Sequence, residues 1–246
     1  MATQQTVRQQ ARQPTGVVGR TCAYLGQTIV WLLLALVFSI VVEWIGQTWI
    51  WPDQGVEHSR QMLQRELGYL HQDFERSVVP GIDNSAMYAK AFADWTYYGV
   101  VEASGLQSLL RWLARSPDPE GGDLQHAARA SYAAAEPYIL SAVTIMQVFA
   151  LRVGVLTLAM PIFVLFGLVA VVDGLVQREL RRWGGGRESS FVYHHAKRLM
   201  MPSIAMAWVV YLALPVSTHP NWVILPFSVL NATTVAITAS RFKKYL

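Results

Sequence analysis

Between Asp173 and Arg198 the chain gathers residue types from which a site is ordinarily built. Gly184, Gly185, Gly186 and Arg187, followed by Glu188, Ser189 and Ser190, resemble a phosphate-binding loop at first sight. Glu188, Ser189 and His194 offer an acid, a nucleophile and a base, and His194 and His195 offer nitrogen ligands. Each chemistry fails on spacing. A phosphate loop needs a lysine followed by Ser or Thr, and a strand before it, and both are missing. Adjacent histidines on a helix diverge by about 100° and chelate one metal poorly. Glu188 next to Arg187, with serines at a helix start, reads as a capped loop in which the carboxylate pairs with Arg187 or Arg182. Neither HExxH nor G-x-S-x-G occurs, and the lone Cys22 excludes both an intrachain disulfide and a cysteine-built metal centre. No catalytic residue, metal site or cofactor is expected.

What survives is a basic surface. Arg178, Arg181, Arg182, Arg187, Lys197 and Arg198 suit anionic lipid headgroups or an acidic patch on a cytoplasmic partner. Arg178, Arg181 and Arg182 fall at i, i+3 and i+4 on one helical face, and Trp183 stands where an interfacial aromatic would. The three glycines end that helix, with a left-handed cap as the expected device. Ser189 or Ser190 caps the next one, which carries Phe191, Tyr193, His194, His195, Lys197 and Arg198 before the chain turns apolar. The loop is thus a short helical hairpin at a membrane surface.

The string RELRRWGGGRESSFVYHHAKR resembles the signature of a family of integrating conjugative element membrane proteins, which bacteria encode beside type IV coupling ATPase and secretion genes. Over the rest of the chain the likeness is mainly in the order of apolar segments. The family brings no catalytic residues to carry over. The resemblance implies a setting, a conjugative secretion apparatus in a bacterial inner membrane, with the coupling ATPase or other secretion subunits as partners.

Composition independently favours a membrane. Of 246 residues, 53% are hydrophobic and 15% charged, below the soluble norm of about 25% charged. Basic residues cluster at the N-terminus, in the glycine loop and in Arg241, Lys243 and Lys244, whereas residues 47–137 hold 12 acidic and seven basic residues, a net of −5. The positive-inside rule places both termini and the glycine loop in the cytoplasm and the acidic segment outside. Direct nucleic-acid contact is not expected, because the positive charges already lie where topology puts them.

The expected fold is mainly α, a polytopic membrane protein with about four transmembrane helices and a helical extracytoplasmic domain. Residues 1–23 form a cytoplasmic tail, largely disordered, and 24–45 an uncleaved first span. Glu43 lies near its outer end, expected to snorkel toward headgroups. Residues 46–152 form the periplasmic domain. Within it, 56–79 is an amphipathic helix with Met62, Leu63, Leu67 and Leu70 inward and Arg65, Glu66 and Asp73 on other faces, and 85–116 is an aromatic-rich helical region. The second span is 153–176, kinked at Pro161; 177–198 is the loop, 199–214 the third span, 215–222 a short outer turn, 223–240 the fourth span and 241–246 a cytoplasmic tail. Asn231 is expected to bond across helices.

Residues 138–177 hold only two charges, Arg152 and Asp173. Two spans here would carry the basic loop outside, so a single helix is selected, about 60 Å long against a ~30 Å hydrocarbon core. Its projecting part, YILSAVTIMQVFAL, is apolar around much of its circumference and needs cover from the outer helices or a neighbouring subunit. Ile139, Val143 and Met146 mark the assembly face, and a homo-oligomer is one way to cover it. The resulting expectation is a non-enzymatic accessory subunit of a conjugative type IV secretion system. Two alternatives stand beside it: a membrane enzyme or small-molecule transporter using Glu188, His194, Glu43 or Asn231, and an exclusion or immunity protein of the same element.

Overall fold

The computed structural model describes residues 17–75, 91, 94–95, 97–102, 108, 123–184 and 190–242. Outside them lie the N-terminal tail to residue 16, most of the region 76–122, Arg187, Glu188 and Ser189, and the last four residues. Every major described element is helical: α1 Val17–Ile45 with a π-helical turn Gly46–Ile50, α2 Val56–Glu75, α3 Asp123–Trp183, α4 Ser190–Ala213 and α5 Asn221–Ser240. A further π-helical turn occupies Tyr98–Glu102.

The helix that holds the first span begins earlier than the span, since α1 already runs from Val17. At its far end the π turn brings Trp51 back over Gly46, where a Cβ would lie 1.9 Å from the indole ring. Gly55, at φ +50°, then supplies the left-handed residue that redirects the chain into α2.

The apolar run from 138 to 177 is one helix, as charge placement requires, and α3 extends it to 61 residues in all. It continues through Pro137 and Pro161. At ~1.5 Å per residue its length is about 90 Å, three times a bilayer's hydrocarbon thickness. At the glycine loop α3 stops at Trp183, and Gly184 donates to the Leu180 carbonyl at 3.1 Å. Among the described glycines only Gly55 has a positive φ, so Gly184 itself is a turn residue that is not left-handed; Gly185 and Gly186, the rest of the expected cap, lie outside the described residues.

Helices α4 and α5 pack along the second half of α3. Their shared core is built on Phe149, Leu156, Ala159, Phe163, Ala207, Tyr211, Leu212, Val223 and Ile224, with Leu32, Ala35 and Leu36 of α1 against it. The helices approach closely at Gly174, where a Cβ would come 2.5 Å from the Ala236 carbonyl oxygen and 2.7 Å from the Ala239 Cβ. Asn231 does bond across helices: its Nδ2 donates to the Met200 carbonyl and to Ser203 Oγ, both at 2.9 Å.

Among the described residues three helices are long and apolar enough to cross a membrane, over Gly26–Ile50, Ala135–Trp183 and Asn221–Ser240. Helix α4 is not among them, because its first two turns carry His194, His195, Lys197 and Arg198 ahead of a short apolar run. Val164, Leu165, Leu168, Val169 and Val172 of α3 are each at least 60% exposed, as are Trp31 on α1 and Trp222 on α5. Such a surface is suited to hydrocarbon and costly in water.

Candidate functional site

The densest polar arrangement lies deep in the bundle. Arg152, in the middle of α3, is 2% exposed, and Glu66 of α2 is 3% exposed. The Arg152 Nε donates to Glu66 Oε1 at 2.8 Å, and Nη2 reaches the same oxygen. Nη1 donates to the carbonyls of Tyr211 at 3.1 Å and Leu214 at 2.6 Å, and Nη2 to Val216 at 2.9 Å. The carbonyls of Tyr211 and Leu214 are at the C-terminal end of α4, where helical carbonyls run out of intrahelical donors and a cation meets the negative end of the helix dipole. The guanidinium also lies 5.3 Å from the centroid of the Tyr211 ring. One side chain therefore ties α2, α3 and the α4–α5 turn together, a task that five donors in a fixed fork suit better than an ammonium.

Burial pushes the Glu66 carboxyl above its ordinary range, and Arg152 pulls against that rise through charge and hydrogen bonding. Glu66 Oε2 is buried with no hydrogen-bond partner among the described residues. Glu66 thus differs from expectation: it faces inward, not outward. The signal was available in the helix period, since Ser59, Met62 and Glu66 follow one another at three and four residues and all three are buried. Which residue Glu66 would meet was not legible, because its partner is 86 positions away.

A second pair, with Glu43 buried and His58 half-buried, joins α1 to α2. Glu43 is 1% exposed, and His58 Nδ1 lies 3.0 and 3.2 Å from its two carboxylate oxygens. Trp51 stacks on the His58 ring, with centroids 4.1 Å apart and planes inclined by 22°. Glu43 does not reach toward headgroups as its place near a span end suggested; it is sequestered by α2. Next to it, Trp44 Nε1 donates to the Tyr138 carbonyl at 2.9 Å, fixing α1 against α3.

At the other end of α3 the basic residues are differently employed. Arg181 Nη1 donates to the Ser240 carbonyl at 3.0 Å, capping α5, and exposed Arg182 pairs with Glu179. Arg178 is half-buried; Lys197 and Arg198 are exposed, with Lys197 Nζ 5.9 Å from the Tyr193 ring centroid. Arg187 lies outside the described residues, as do Glu188 and Ser189 of the acid–base reading. His194 and His195 take separate neighbours, His194 against Tyr193 and His195 donating from Nδ1 to the Phe191 carbonyl at 2.9 Å.

The projecting half of α3 is partly covered within the chain. Ile145 and Val148 are buried with Met62, against Leu63 and Ile40, and Ala150 and Leu151 pack on Leu67 and Leu70. Ile139, Val143 and Met146 are half-buried. The α2 side of the helix therefore needs no neighbouring subunit, and the demand for outside cover is smaller than the apolar sequence suggests.

None of these arrangements places a nucleophile, a base and an open cavity together. A family model described as IncC plasmid conjugative DNA transfer protein DtrJ-like matches residues 50–243. No curated protein and no solved structure matches the chain.

Proposed function

The chain belongs to the DtrJ-like family of conjugative DNA transfer proteins, and on that premise we propose that it is a non-enzymatic accessory subunit of a conjugative type IV secretion system. It sits in the bacterial inner membrane with both termini cytoplasmic, packing with the coupling ATPase or another channel subunit during DNA transfer. The matched family is described from a plasmid; the likeness of residues 173–198 to integrating conjugative element proteins points to the same conjugative setting.

The observation that carries the reading is how the buried polar groups are used. Arg152 is bonded to Glu66 and three carbonyls, Glu43 to His58, and Asn231 to Met200 and Ser203. All three hold helices together. A transporter or membrane enzyme instead keeps some of its intramembrane polar groups facing a cavity.

Four crossings remain the favoured topology even though α4 alone is marginal. Arg181 is bonded to the end of α5 at one level of α3, and Arg152 to the end of α4 at another. Those levels are about 43 Å apart along α3, and α4 at about 36 Å covers nearly the whole distance. Helix α4 therefore runs beside the same length of bundle as α5, and its polar first turns fall at the basic, cytoplasmic end.

Affinity purification in mild detergent from cells carrying the complete element tests the proposal. The coupling ATPase or a channel subunit should accompany the protein in stable proportion. Recovery of the protein alone, or only as its own oligomer, rejects it.

A further inference from the structure

An open groove of about 440 Å³ runs between α3, α4 and α5, and its walls are apolar: Val164, Leu168, Val171 and Leu175 of α3, Met200 of α4, and Phe242 after α5. The α3 wall recurs every three or four residues, and the next two steps of that stripe are Arg178 and Arg182. On α4, Met200 is preceded on the same side by Lys197 and Tyr193, and Tyr193 meets Phe242 with ring centroids 6.2 Å apart. An apolar trough thus opens directly onto a cationic, aromatic mouth.

The cations at that mouth are not equivalent. Arg182 is engaged by Glu179, and Arg181 by the end of α5. Arg178 and Lys197 have no acidic partner among the described residues, and Arg178 is half-buried at the end of the trough. From Val164 to Leu175 the α3 wall extends about 16 Å, close to one leaflet's share, about 15 Å, of the hydrocarbon core.

We infer that this groove holds an anionic diacyl phospholipid of the cytoplasmic leaflet, one acyl chain along the apolar trough and its phosphate between Arg178 and Lys197. The inference rests on the reading above that α3 crosses the inner membrane with its basic end inside. A neutral lipid would satisfy the trough but leave an anion-binding mouth without the negative headgroup that two cations favour.

The test is native mass spectrometry of the full-length protein released from vesicles of equal phosphatidylglycerol and phosphatidylcholine. The wild type should retain phosphatidylglycerol over phosphatidylcholine by about thirtyfold, the size expected for two cations near a headgroup at about 1 kcal/mol each. Arg178→Gln combined with Lys197→Gln should abolish the preference while leaving total lipid retained. Gly167→Leu should lower retention of both lipids, because Gly167 lines the groove and a Cβ there meets nothing within 4 Å. Equal retention by the wild type, or an undiminished preference in the double variant, overturns the inference. Displacement of the preference by free inorganic phosphate also overturns it, assigning the mouth to a soluble anion. Alkaline carbonate extraction of the same vesicles separates the two failures, since release of the protein would reject the membrane reading itself.

Discussion

Arg152 and Glu66 meet across 86 positions of sequence, with Arg152 Nε 2.8 Å from Glu66 Oε1 and both side chains almost wholly buried. Removing one partner strands the other, so Arg152→Ala should destabilise the protein by about 3–5 kcal/mol. The double replacement Arg152→Met with Glu66→Leu should recover much of that loss, because it also removes the stranded carboxylate. Thermal unfolding in detergent micelles reads both, and an unchanged midpoint for Arg152→Ala would show that the pair does not hold the bundle.

Glu66 also predicts a pH dependence. Its folded carboxyl sits above the ordinary 4.5, so the fold favours the protonated form. Its contribution is fully present below 4.5 and is lost as pH rises through the folded value. Relative to Glu66→Gln, the wild type should therefore gain stability on acidification through that window. Arg152 keeps its three carbonyl acceptors when Glu66 is neutral. Parallel pH profiles of the unfolding midpoint for the two proteins would contradict this assignment.

The contact at Gly174 tolerates no side chain without movement of α5. Gly174→Leu should cost about 1–3 kcal/mol or more through forced separation of the helices, whereas Gly167→Ala should be near neutral. Comparing protease resistance of the two variants in membranes checks the contrast.

Topology mapping distinguishes three crossings from four. Reporter fusions after Arg241 and insertions at Gly184 should signal the cytoplasm, while insertions at Gln54 and Thr218 should signal the outside. A cytoplasmic signal at Thr218 would remove α4 as a crossing and, with it, the four-span reading.

Replacements on α3 should sort into two classes. Ile145→Asp or Val148→Asp, facing α2, should impair folding of the isolated protein. Polar replacements at half-buried Ile139, Val143 and Met146 should leave the isolated protein folded and weaken co-purification with secretion subunits. Detergent-solubilised complexes that are indifferent to the second set would remove the assembly face.

The long helix and the cross-helix bond of Asn231 were legible because each follows from local content: a run with two charges, and a lone amide in an apolar segment. The pairs Arg152–Glu66 and Glu43–His58 were not. Arg152 was visible as an isolated charge, and the period of α2 already placed Glu66 beside Met62, yet nothing local specifies which of 12 acidic residues in the outer segment returns to it. Helix α4 was a partial case. Its apolar length is marginal on its own, and its position beside α3 depends on carbonyls at its end and in the turn after it that accept from Arg152.

A helix of 61 residues clamped near its midpoint to α2 and to the α4–α5 turn has a mechanical meaning. If α3 tilts as one body about that clamp, the half before Arg152 and the half after it move in opposite directions. With Arg152 as the pivot, a swing of about 5° carries each tip roughly 4 Å. Such a tilt would couple the α2 end of the bundle to the end that carries Arg178, Arg181 and Arg182.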